Sequence, residues 1–146
     1  MRVVKSVLFG QDKRFDSLTI LSLDRVVSIT GTPSPYIQNT QYDFNEYFED
    51  MIGITKPLNG VVATVVLLFS KSQTPYIITK PLHCTQKHTM HDAGSSIVRI
   101  EVIPNYELEQ TILGFGEHCR VLEPQDLSIK ISERLEHASQ NYQLAD

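Results

Sequence analysis

Arg25, His83, Gln86 and Lys87 are the side chains of this sequence best suited to hold a ligand. A guanidinium such as that of Arg25 presents planar, paired donors that match a phosphate or carboxylate. The plainer role for Arg25 is an ion pair with Asp24 or another acid at a strand turn. Lys13 and Arg14 add positive field, although a charged hairpin tip is commonly just solvated. His83, Gln86 and Lys87 fall where a helix is expected to hand over to a strand, a place where polar groups often line a cleft. Equally, His83 can bond backbone near Pro81 and fix the connection.

His83, Cys84, His88 and His91 carry donor atoms that zinc accepts, but zinc needs about four of them converging. On an extended strand His83 and His91 face one way and Cys84 and His88 the other, so convergence requires a bulge. Neither a metal nor a cofactor is expected. His118 and Cys119 place an imidazole beside a thiol, yet neighbours on a strand face apart and no third group orients them. There is no glycine-rich phosphate loop, GxSxG elbow or HExxH. The expectation is a protein without enzymatic activity.

Composition narrows the partners. The chain has 146 residues, 41% hydrophobic and 21% charged, with a formal net charge of −4. Those values fit one ordinary domain or two small ones and argue against disorder or a solenoid. Residues 1–60 hold six Lys or Arg against seven Asp or Glu, and residues 61–146 hold seven against ten. Neither half has the positive field of a general phosphate-backbone binder, so a nucleic-acid ligand would need a local basic pocket. The longest apolar run, Val61 to Phe69, is far shorter than the roughly 20 residues of a membrane-spanning helix. The first residues lack the apolar core of an export signal, and Cys84 and Cys119 read as two reduced thiols in cytoplasm.

The elements that position these residues follow from periodicity. Val3–Phe9 and Leu18–Leu23 read as strands, with Val26–Thr30 continuing as β after Asp24-Arg25. Gly31-Thr32-Pro33-Ser34-Pro35 breaks the pattern as a linker. Asp43 and Glu46 form a capping-box pattern before Phe44, Tyr47, Phe48 and Met51, predicting a short helix closed at Gly53. This aromatic stripe reads as core rather than as a platform for bases. Val61–Phe69, apolar on both parities, predicts a buried central strand. Ser70 or Ser72 can cap a short helix over Pro75–Ile78. Gln86–His91 and Ile97–Ile103 form a hairpin about Asp92-Ala93-Gly94-Ser95, the second strand alternating apolar with mixed positions. A helix capped by Asn105 carries Leu108, Ile112 and Phe115, and a strand runs from His118 to Leu122. The last helix begins after Pro124, with Leu127, Ile131, Leu135, Ala138 and Tyr142 along one face. From Val61 the order is β-α-β-β-α-β, then α, which is the ferredoxin-like order with one added helix.

Several strings are similar to a known family. Leu23-Asp24-Arg25-Val26 resembles the LDRI string of WYL domains, the sensor portion of many bacterial transcription regulators. Tyr42 to Asp50 with Ile52-Gly53-Ile54 resembles the segment that follows that domain. Lys80-Pro81-Leu82-His83-Cys84-Thr85-Gln86-Lys87 resembles the family's RPLHxSQK string. Asn105 to Leu108, Ile112 to Gly116 and Val121 to Pro124 match its C-terminal extension. The resemblance spans nearly the whole chain, in the family's order.

It implies a regulator's C-terminal part: an Sm-like small β-barrel, the WYL domain, followed by a ferredoxin-like extension used in assembly. Transcription regulation and sensing of a nucleotide or single-stranded nucleic-acid effector are the implied roles, with DNA bound only through a missing N-terminal helix-turn-helix domain. The family's W-Y-L tripeptide falls on Ser6-Val7-Leu8, where only Leu8 agrees, and its Phe-Arg pair falls on Leu18 and Thr19. Of the pocket arginines, Arg25 alone carries over.

The sequence therefore predicts an α+β chain. Residues 1–36 are the last strands of a truncated WYL domain, residues 37–60 a connecting segment with a short helix, and residues 61–146 the ferredoxin-like extension. The chain is expected to begin inside its first domain. Unpaired strand edges then predict a homo-oligomer, a dimer or higher, with no membrane contact. The alternative is a stand-alone protein–protein interaction module that has lost ligand binding. An amino-acid-binding regulatory fold of ferredoxin-like shape is a third, more distant reading.

Overall fold

Two short apolar runs near the N-terminus pair with each other. In the computed structural model, which describes residues 7–11, 18–33, 35–36, 38–44 and 46–143, Val7–Gln11 (β1) pairs antiparallel with Leu18–Ser22 (β2). A 3₁₀ turn, Leu23–Arg25, follows. The expected continuation as β over Val26–Thr30 does not form. A strand must satisfy its N–H and C=O groups on a partner, and among the described residues none pairs with this run; Val27 is 99% and Ile29 84% exposed. The chain divides into two compact units, Met1–Thr40 and Gln41–Asp146.

The second unit is built on four antiparallel strands in the order β4-β5-β3-β6: β3 (Ala63–Phe69), β4 (Lys87–Met90), β5 (Ser96–Val102) and β6 (Cys119–Glu123). Three helices intervene, α1 (Thr74–Thr79), α2 (Tyr106–Leu113) and α3 (Gln125–Gln143). Its central place explains why β3 is apolar on both parities. Val65, Leu67 and Phe69 join Val98, Ile100 and Val102 of β5 in one core, completed by Ile77, Leu108, Ile112, Leu127 and Ile131 from the helices. Phe115 closes it edge-on to Phe69 at 5.0 Å between ring centres. Burying each such side chain contributes roughly 1.5–3 kcal/mol, so this single layer between sheet and helices holds the unit together. The architecture is mixed α+β with two antiparallel sheets, and among the described residues no barrel closes.

Two expectations need correction, and the last helix, present after Pro124 as expected, proves longer than the sheet it covers. The described residues of this stretch, 43–44 and 46–51, form turns rather than a regular helix: Tyr47 N–H bonds Asp43 O at 2.9 Å, but Glu49 bonds Glu46 O and Met51 bonds Phe48 O. A nucleus this short cannot sustain a helix alone, and tertiary bonds hold the turns instead. Neither Ser70 nor Ser72 caps α1; its N-cap is Gln73, because both serine hydroxyls face His118 Nδ1 at 3.1 and 3.5 Å. Finally, α3 outruns the sheet. Its 19 residues span about 28 Å, whereas the five residues of β6 span about 17 Å. Leu127 and Ile131 are buried, but Leu135 is 41% and Tyr142 87% exposed.

Asn105 and Glu107 secure the turns to the domain. Asn105 accepts Leu108 N–H at 2.9 Å as the expected N-cap, and its amide donates to Ile52 O and Thr55 O at 2.8 and 3.0 Å. Glu107 Oε1 accepts from Ile54 N, Thr55 N and Thr55 Oγ1. Gly53, at φ +85°, passes so close that a Cβ would lie 2.5 Å from Glu107 Cγ.

Candidate functional site

His83 and Gln86 lie in the connection between α1 and β4, and Lys87 is the first residue of β4. Gln86 works on the backbone at both ends of its amide. Its Oε1 accepts Leu82 N–H at 2.9 Å, and its Nε2 donates to Ile77 O at 2.8 Å, a carbonyl in the last turn of α1 that lacks a helical partner. The loop is thereby folded back on the helix that precedes it.

Thr85 carries the hairpin one step past its last backbone pair. Lys87 stands opposite Arg99, and two residues further out Thr85 Oγ1 accepts Glu101 N–H at 3.0 Å in place of a backbone carbonyl. His83 Nδ1 lies 2.9 Å from that hydroxyl and 3.4 Å from Thr85 N. Because Thr85 N–H points at it, Nδ1 is the acceptor and the bonding network assigns the ring proton to Nε2. The hydroxyl accepts from Glu101 N–H, and its one proton is shared between His83 Nδ1 and Glu101 O, the latter 3.3 Å away. His83 and Gln86 thus fix the start of β4, and Lys87 projects from it exposed.

The sheet has two unlike faces. On β5, Ser96, Val98, Ile100 and Val102 are buried against the helices, while Arg99 and Glu101 are exposed on the other side. Register puts Lys87, Arg99 and Val66 in one row, and Thr89, Ile97, Leu68 and Arg120 in the next. Glu101 gives both carboxylate oxygens to Thr64 Oγ1, at 3.0 and 2.9 Å. Among the described residues no acid pairs with Lys87, Arg99 or Arg120. Sequence reasoning missed Arg99, Arg120 and Thr85. The signal for Arg99 was its place in the alternation of β5; what was lacking was the register that sets it opposite Lys87.

Arg25 belongs to the first unit, where it ends the 3₁₀ turn, exposed. Neighbouring Asp24 accepts the Ser22 hydroxyl, and among the described residues none pairs with the Arg25 guanidinium. Leu8, opposite Leu21, is half exposed. Ser6, Lys13 and Arg14 lie outside the described residues.

The remaining chemistry-bearing groups serve the fold. β4 spans only Lys87–Met90, so His83, Cys84 and His91 do not share a strand with His88, and His91 Nδ1 turns to Ser95 Oγ at 3.3 Å. Among the described residues no group of three or more His, Cys, Asp or Glu is placed to hold a metal ion. Cys119 is in the core, and burial pushes its thiol up to about 12, far from a nucleophile's range. His118 knits the β3–α1 turn through Ser70 and lies 3.5 Å from Glu117 through Nε2. Tyr47 packs edge-on to Phe48, with Lys56 Nζ 4.5 Å from its ring centre, and burial, then Tyr42, raises its phenol pKa. Among the described residues no helix is long and apolar enough to cross a membrane.

Residues 62–139 match the family model of the WCX domain, a WYL-associated C-terminal domain. No curated protein matches the chain.

Proposed function

The chain belongs to the WCX-domain family, and from that premise we propose that it is the effector-sensing and oligomerisation part of a WYL-type transcription regulator. The match over residues 62–139 carries this reading. The element order β-α-β-β-α-β and the sheet order β4-β5-β3-β6 support a ferredoxin-like extension. The β1–β2 hairpin fits the strands of an Sm-like barrel. Two separate effector contacts are proposed, Arg25 in the first unit and Lys87 in the second, both exposed, with His83 and Gln86 as the residues that position Lys87. The unit acts by binding rather than catalysis: its buried thiol is held protonated, and His118 is engaged by serine hydroxyls.

Oligomerisation is supported by the first unit. A two-stranded hairpin is marginal alone, and Leu8, Leu21, Val27 and Ile29 leave apolar surface exposed on it. Titration with short single-stranded DNA, RNA and cyclic nucleotides at low salt tests sensing, and light scattering tests assembly. Binding abolished by Arg25→Ala supports a sensor. Silence with every ligand overturns sensing and leaves an assembly module. A monomer at high concentration overturns oligomerisation.

A further inference from the structure

We propose that the sheet face turned away from the helices binds phosphate groups between Lys87 and Arg99, with Arg120 extending the site. Like charges directly opposite each other in an antiparallel ladder repel, and Lys87 and Arg99 form such a pair. Among the described residues no carboxylate forms an ion pair with either of them. Glu101, two residues along β5, is turned to Thr64 Oγ1. Glu109 is used elsewhere, by Lys130 and Arg134. Glu123 stands opposite Val66 beyond the β6 bulge and forms no ion pair with the three cations. An anion in contact with Lys87 and Arg99 is what this end of the row lacks.

The floor and the spacing narrow the ligand. Val66, Leu68 and Ile97 lie between the cations in the two rows, and apolar walls strengthen the field of neighbouring charges. Those rows contain no aromatic ring, so phosphate is recognised there and bases are not stacked. From β4 to β6 is three strand steps, roughly 14 Å, which exceeds one phosphate group and calls for a ligand with several. The Thr85–Glu101 and Gln86–Ile77 bonds hold Lys87 in place in advance. Two sources share this chemistry, a nucleotide polyphosphate and a single-stranded phosphodiester chain. The assignment rests on the sensing reading only for what occupancy does to the regulator.

The test uses the full chain with a labelled oligothymidylate and with inorganic pyrophosphate, between about 50 and 200 mM salt. Three cations releasing counterions at about 0.7 each predict a log–log salt slope near −2 for the strand. Arg99→Ala or Lys87→Ala should reduce that slope by about 0.7, and Arg99→Lys should restore it. Displacement of the strand by pyrophosphate at similar concentration assigns the polyphosphate source, and displacement only by longer strands assigns the phosphodiester. If Arg25→Ala abolishes binding while the Arg99 and Lys87 variants keep the full slope, the sensing reading stands and the sheet-face site falls. Absence of binding by either probe, in protein with a native circular-dichroism spectrum, also overturns it.

Discussion

Glu107 Oε1 accepts the Thr55 hydroxyl proton at 2.6 Å, joining the first turn of α2 to a residue 52 positions earlier. With Asn105, two residues before it, Glu107 bonds half of the polar backbone groups of the Ile52–Thr55 turn. The segment ahead of β3 is therefore part of the second unit's fold. Its attachment is polar at the turn and apolar at Met51, which is buried.

Asn105 has two separable jobs, and substitutions divide them. Asn105→Ala removes the cap, worth about 1 kcal/mol, and leaves Ile52 O and Thr55 O without their donor, at about 1 kcal/mol each. Asn105→Ser keeps a capping hydroxyl and loses the amide donors. Urea denaturation should rank wild type above Asn105→Ser above Asn105→Ala. Equal stability of the two variants would mean that the cap contributes nothing, and a cap-keeping variant as stable as wild type would mean that the amide contacts contribute nothing.

Glu109 joins α2 to α3. Its carboxylate, largely buried, meets Lys130 Nζ at 2.6 Å and Arg134 Nη1 at 2.8 Å, and Arg134 also lies over the Tyr106 ring. Because Lys130 stays mostly exposed, solvent recovers part of any loss. Glu109→Gln should cost about 1–2 kcal/mol, and amide exchange should speed up most in the second half of α3, where core packing has ended. Unchanged exchange there would assign α3 anchoring to Leu127 and Ile131 alone.

What could be read in advance was local. The β5 alternation foretold the buried and open faces, because a period of two needs no knowledge of partners. Asn105 stands three residues before Leu108, and cap geometry acts over that distance. Other contacts depended on residues far apart in the chain. Nothing near Gln86 announces that its amide will seek Ile77 O, and the aromatic run after Tyr42 has a helical pattern. Its turns are held to α2 by bonds to side chains more than fifty residues away.

The hairpin turn contains a correctable strain. Ala93 adopts φ 56°, ψ 22°, in the left-handed region, next to Gly94 at φ 85°. That conformation costs a non-glycine residue roughly 1–2 kcal/mol, and glycine's extra unfolded-state entropy takes back about 0.4–1 kcal/mol. Ala93→Gly should therefore stabilise the chain by up to about 1 kcal/mol, seen as a higher urea midpoint with an unchanged slope. A lower midpoint would show that the methyl group packs usefully.

The two thiols should behave as opposites. Cys84 is exposed and Cys119 buried, so a thiol reagent at pH 8 should modify one site per folded chain and two after denaturation. The same burial gives stability a pH dependence. Desolvation by burial pushes the Cys119 thiol from its ordinary 9.0 up to about 12 in the folded chain. Above pH 9 the unfolded chain loses this proton while the folded chain keeps it, so the unfolded state is favoured progressively between pH 9 and about 12. Urea midpoints should fall across the lower part of that range in wild type and fall less in Cys119→Ala, whose baseline is lower because a cavity is left. Parallel declines in the two proteins would place the alkaline transition on another group.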